Sequence, residues 1–116
     1  MSTEQFLDKL RNEPNSIDFE DTMAAIEAGY EFSPTAFKNG DVENEANQNN
    51  GSCKIFSYAQ LQALNADETL ACFGRYYRDD VLKHPDGADH GNIRNFMQYG
   101  WIGVEFSDSA LTPKKA

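Results

Sequence analysis

A cysteine close behind a glycine, at the start of a helical pattern, is a chemical opportunity. Residues 48–61, QNNGSCKIFSYAQL, supply one. The thiolate is the reactive form of cysteine, and a helix N-terminus lowers its pKa. Cys53 is therefore a candidate nucleophile for a hydrolase or acyltransferase. Such a nucleophile needs a base, and the chain holds two histidines, His84 and His90, both in the stretch HPDGADHGN. His90 with Asp89, or His84 with Asp86, supplies an imidazole and an orienting carboxylate. The opposing reading makes Cys53 a small, half-buried residue of the helix start, as free cysteines usually are. Cys72, between Ala71 and Phe73, reads as buried and inert.

The same histidine stretch offers a second chemistry. His84, Asp86, Asp89 and His90 combine imidazoles and carboxylates, a donor set that suits zinc, iron or manganese. The structural alternative is a type I turn at Pro85-Asp86-Gly87, with the acids capping the helix that follows. A third group is cationic. Lys54, Arg75, Arg78 and Arg94 are scarce positive charges that can hold an anionic ligand, or pair with acids such as Asp79 and Asp80. Asn49, Asn50, Ser52, Arg78, Asn92 and Arg94 are the expected ligand contacts if the Asn-rich and His-containing stretches meet in one polar cleft. None of these patterns requires a cofactor.

The elements that must position these residues follow from periodicity and punctuation. Ser2 or Thr3 caps a first helix with Phe6, Leu7 and Leu10 on one face, and Pro14 stops it. A second helix runs from Ser16 to Gly29 with a stripe of Phe19, Met23, Ile26 and Tyr30. Tyr30, Phe32 and Phe37, followed by Asn39-Gly40, read as an extended segment and a turn. Residues 38–51 form the longest loop. Ser52 is the expected cap of a central third helix, 53–64. Asn65 and Glu68 open the clearest helix, which continues to His84 through an internal Gly74. That glycine costs about 1 kcal/mol relative to alanine, tolerable where another backbone packs close. Asn92 is the expected cap of a short last helix, and WIGVEF reads as a strand. The fold class is α+β, mostly α: about five helices in one compact domain. Two short strands, near 30–37 and 101–106, are expected to pair. Residues 1–2 and 108–116 are expected to fray.

Composition narrows the function classes. The chain has 116 residues, a size typical of one domain, with 40% apolar content that can build a core. The net charge of −9 repels phosphate backbones and anionic bilayers, so no nucleic acid and no membrane partner is expected. A protein or small-molecule partner remains. Two cysteines make no disulfide framework and fit a reducing compartment. The N-terminus lacks the apolar stretch of a secretory signal, and no apolar run reaches spanning length, so the bacterial cytoplasm is the expected location.

Two resemblances carry these readings further. Gly51-Ser52-Cys53-Lys54-Ile55-Phe56-Ser57 is similar to the G-S-C-aromatic-x-F-S run of papain-like proteases. It departs from that run at Lys54, and both histidines lie much nearer the cysteine than that family places its own. The second covers most of the chain. Asn49-Asn50-Gly51-Ser52-Cys53-Lys54-Ile55-Phe56, Leu70-Ala71-Cys72-Phe73-Gly74, Tyr76-Tyr77-Arg78, the pattern from His84 to Met97, and Gly100-Trp101 resemble the HopJ type III effector family. The resemblance implies a bacterial protein, translocated into a host cell where the effector role holds. It implies no reaction, cofactor or catalytic residue.

Overall fold

The computed structural model describes residues 3–114. The expected fraying of residues 1–2 and 115–116 lies outside the described residues. Helix α1 spans Thr3–Asn12, and the chain then turns through a 3-10 segment at Pro14–Ser16. Helix α2 begins at Phe19 rather than at Ser16, because Asp18 caps it. The Asp18 carboxylate accepts from the first turn of the helix, while Asp21 reaches back to the Asp18 N–H at 2.9 Å. Two reciprocal bonds at one terminus outweigh a serine placed two residues earlier.

Strand β1 (Tyr30–Phe32) follows directly on α2. It pairs antiparallel with β5 (Leu111–Pro113), Phe32 opposite Leu111. Strands β2 (Phe37–Asn39) and β3 (Val42–Asn44) form a hairpin inside the segment expected to be a long loop, and β4 (Val104–Phe106) pairs with the other edge of β2. The expected pairing of the two extended pieces is thus realised at Phe37 opposite Phe106, where the rings stack at 5.1 Å. The Asn39-Gly40 turn is present, with Gly40 at φ +61°. The C-terminal segment does not fray where expected. Ala110 and Leu111 are buried, and Lys114 N–H bonds the Gly29 carbonyl at 3.0 Å. Burying two apolar side chains and pairing the strand offsets the entropy of ordering it.

Helix α3 (Asn50–Leu61) is central and buries Cys53, Ile55, Phe56, Tyr58 and Ala59. Phe56 is the hub of the core, with Phe73, Phe96 and Phe37 rings at 5.5, 5.0 and 6.1 Å and Trp101 edge-on at 6.2 Å. The helix expected over 65–84 is two pieces. Helix α4 (Ala66–Ala71) has the expected Asn65–Glu68 capping box, but the chain breaks at Gly74, which sits at φ +60°. A π-helical segment, Tyr76–Val81, follows. The break is held from outside the helix. Thr22 donates its hydroxyl to the Cys72 carbonyl at 2.7 Å, and Arg75 N–H donates to the Asp18 carboxylate at 3.1 Å. The backbone groups that the break frees are thereby satisfied. Helix α5 (Gly91–Tyr99) packs on the hairpin, and a 3-10 turn at Gly100–Gly103 leads into β4. Among the described residues no helix is long and apolar enough to cross a membrane.

Candidate functional site

The Asn-rich and His-containing stretches do meet. Their junction is a cleft of about 380 Å³ lined by Asn49, Gly51 and Ser52 on one side, and by His90, Gly91 and Asn92 on the other. Phe19, Phe73, Tyr76, Val42 and Ile93 supply its apolar walls.

Both sides are helix starts of one unusual kind. Asn49 precedes α3 at φ +52°, and His90 precedes α5 at φ +51°. Asparagine and histidine tolerate this left-handed region better than most side chains. In neither case does the side chain cap its own helix. Asn49 Nδ2 donates instead to Asn44 Oδ1 at 2.7 Å. His90 Nε2 lies 3.0 Å from Asp80 Oδ2 on the π-helical segment, and its ring leans on Tyr76 at 5.4 Å between centroids. The first-turn N–H groups of the two helices are therefore uncapped by side chains where they border the cleft, and they carry the positive ends of the helix dipoles. Ser52 and Asn92 are not the caps that their types and positions predict. The helices start earlier, at Asn50 and Gly91, because the left-handed residues ahead of them set the entry angle.

The cleft is braced by buried asparagines. Asn44 and Asn92 exchange amide hydrogen bonds at 3.0 and 3.1 Å, and Asn39 donates to the Asn92 carbonyl at 2.7 Å. This network ties the hairpin to the first turn of α5. Gly51 allows Phe19 to lie against α3, since a Cβ there would meet the Phe19 ring at 2.7 Å.

The other expected site residues are used differently. Cys53 points away from the cleft. It is 1% exposed, its thiol donates to the Thr35 carbonyl at 3.5 Å, and burial pushes its pKa up. The helix terminus that would activate the thiol is outweighed by desolvation of the thiolate, so the geometry does not carry a Cys53–histidine pair. Cys72 is buried as expected, its thiol pushed up to about 12 by desolvation. His84 lies on an exposed turn outside the cleft.

The metal set formed by His84, Asp86, Asp89 and His90 does not assemble. Among the described residues no group of three such donors converges. The reason is Arg94, whose guanidinium fills the centre of that loop. It donates to the carbonyls of Asp89 and His84 at 2.6 and 2.9 Å, and to the Asp89 carboxylate at 2.7 Å. The Arg94 hydrogen bond holds the Asp89 carboxyl below its ordinary pKa. Gly87 leaves room for this, because a Cβ there would stand 2.6 Å from Arg94 Nη2. Arg78 is likewise committed, donating to the Ile17 carbonyl at 2.7 Å. Arg75 pairs with Asp18 and Glu20 at 3.0 and 2.7 Å, and Lys54 sits over the Phe32 ring. The cations expected to hold an anion hold the fold.

Phe19, in the cleft wall, and Asp80, which contacts the cleft histidine from outside the lining, are residues that sequence reasoning missed. Asp80 was legible only as an ion-pairing acid on a continuous helix. Its approach to His90 depends on the break at Gly74.

The model of the HopJ type III effector protein family matches residues 3–111. The chain belongs to the HopJ type III effector family. Among solved structures, it is similar to the crystal structure of an unknown function protein, VPA0580. The two share 59% identity and a TM-score of 0.97, covering 98% of this chain and 95% of that one. No curated protein matches the chain. Family and fold are thus shown, and neither brings an established activity.

Proposed function

We propose that this HopJ family member acts by binding, taking a small ligand or a side chain of a protein partner into the cleft between α3 and α5. One observation carries the reading: two helix starts border a single cleft of about 380 Å³ while their capping residues are engaged elsewhere. That volume lies within the range of about 300–1,000 Å³ for small-molecule sites. Uncapped N–H groups favour an acceptor such as a carboxylate or a carbonyl, and the walls of Phe19, Phe73, Tyr76 and Ile93 favour an apolar or aromatic body behind it. Membership of an effector family supports delivery into a host cell as the setting in which this binding acts.

The test is a titration of ¹⁵N-labelled protein with benzoate, and with uncharged benzamide as the second probe. Saturable shifts of the Gly51, Ser52, Gly91 and Asn92 amides, abolished in Ser52→Trp, are the expected result. Shifts scattered over the surface, or unaffected by that substitution, overturn the reading. Delivery is checked separately by fusing the chain to a reporter active only in host cytosol; no host signal removes that part.

A further inference from the structure

We propose that the three-stranded sheet β3–β2–β4 carries a docking surface for a protein partner, which it takes through an extended, arginine-bearing segment. The proposal does not depend on the cleft between α3 and α5, since the two surfaces share no lining residue. A groove of about 390 Å³ crosses one end of the sheet, with Ala36, Phe37 and Phe106 as its apolar floor. The Phe37 and Phe106 rings stack there at 5.1 Å, 16° from parallel. Phe37 is buried against Phe56, whereas Phe106 is only partly buried and keeps surface for a ligand.

Charge decides the kind of partner. Glu43, Glu45 and Glu105 line the groove, with Lys38 as the one cation among its lining residues. The register sets Lys38 between Glu43 and Glu105 on the neighbouring strands. Opposite charges so placed usually pair. Here all four side chains are exposed, and among the described residues none of them forms an ion pair. The groove thus presents unpaired carboxylates, in excess over base, around an aromatic floor. A guanidinium satisfies both features at once, its flat face on a ring and its N–H fork on a carboxylate. The chain already holds one of its own in this way: Arg75 lies over the Tyr76 ring at 5.0 Å with Asp18 and Glu20 beside it. A second copy of this acidic chain, presenting the same face, would instead bring like charges together.

The backbone supplies a second anchor. Gly40 N–H donates to the Gly103 carbonyl at 2.9 Å, and Ser107 N–H to the Ala36 carbonyl at 3.1 Å. These two bonds fix the phase of the β2–β4 ladder, so Lys38 directs its own N–H and C=O at Glu105. Glu43, opposite Lys38 on the other side, therefore turns its N–H and C=O away from β2. They lie on the outer edge of β3, where among the described residues no further strand pairs. An extended peptide laid along that edge can take up both groups, and its alternate side chains then face the groove.

The probe is the pentapeptide acetyl-TRTRT-amide, titrated into ¹⁵N-labelled protein at low salt. Its counterpart carries citrulline, an uncharged isostere, in place of both arginines. Expected are saturable shifts of the Glu43, Glu45, Glu105 and Phe106 amides, with affinity about 10-fold weaker for the citrulline peptide. Glu43→Gln/Glu105→Gln is expected to weaken the arginine peptide by about 10-fold as well. Asp8→Asn/Glu31→Gln removes the same charge from exposed positions outside the groove, and should leave affinity within about twofold. Amide spectra verify the fold of each variant. Shifts spread over the whole surface or confined to the cleft amides overturn the proposal, as does the absence of saturable shifts. Equal affinity for the citrulline peptide, or equal losses in the two double variants, overturns it too. A dimer in sedimentation, with the groove amides shifting on concentration alone, gives the face to a second copy and overturns it likewise.

Discussion

The break at Gly74 joins two distant parts of the chain, and a substitution there measures how much that junction contributes. A Cβ on Gly74 would lie 2.5 Å from Asp18 Oδ1, 2.6 Å from Asp18 Cα and 2.6 Å from Phe19 N. Two of those atoms are backbone, so no rotamer change relieves the contact. Gly74→Ala therefore incurs strain from the positive φ of about 1–3 kcal/mol. It also drives Asp18 away, loosening the cap of α2, for about 1 kcal/mol more. A total of about 3 kcal/mol is expected, a large share of the stability of a domain this size. Urea unfolding of wild type, Gly74→Ala, Asp18→Ala and the double variant Asp18→Ala/Gly74→Ala supplies the assay. The double variant should be less destabilised than the sum of its singles, since both disrupt one cap. A loss below about 1 kcal/mol in Gly74→Ala, or strict additivity with Asp18→Ala, would refute the reasoning.

Three further outcomes follow from the same geometry. Asn92→Ala removes the amide that Asn44 both donates to and accepts from; a loss of about 1–3 kcal/mol is expected in urea unfolding, with amide shifts in the hairpin as well as in α5. Glu20 is held below its ordinary pKa mainly by the Arg75 side chain, whereas the largest cause of the lowering at Asp18 is the Arg75 backbone N–H. Depressed folded-state values mean that this stabilisation is fully present above the ordinary carboxylate range and is lost as pH falls through the folded pKa values. Carboxyl NMR titration of Arg75→Ala should return Glu20 toward its ordinary value while Asp18 stays lowered, and equal recovery of both would contradict the assignment. Native Cys53 and Cys72 should react with a thiol reagent far more slowly than free cysteine at pH 8, and at the ordinary rate once unfolded in urea; fast native reaction at Cys53 would place its sulfur in solvent.

The sequence by itself determined the local features. The Asn65–Glu68 capping box, the turn at Asn39-Gly40, the stop at Pro14 and the apolar faces of the helices are set by neighbours a few residues away, and all were readable. The meeting of the Asn-rich and His-containing stretches was in the sequence only a condition for a shared cleft, since no neighbouring residue decides it. Tertiary structure decided the rest. Helical propensity from 65 to 84 gives no reason to stop at residue 74; the approach of Asp18, through the bond it accepts from Arg75, and Thr22 on the Cys72 carbonyl hold the break. Strand β5 looked like a tail because its partner β1 lies across nearly the whole chain. Side-chain direction was equally hidden. Cys53 and Ser52 are adjacent in sequence, yet one turns into the core toward Thr35 and the other lines the cleft, because successive residues of a helix face different directions and only the packing of α3 fixes which direction is inside.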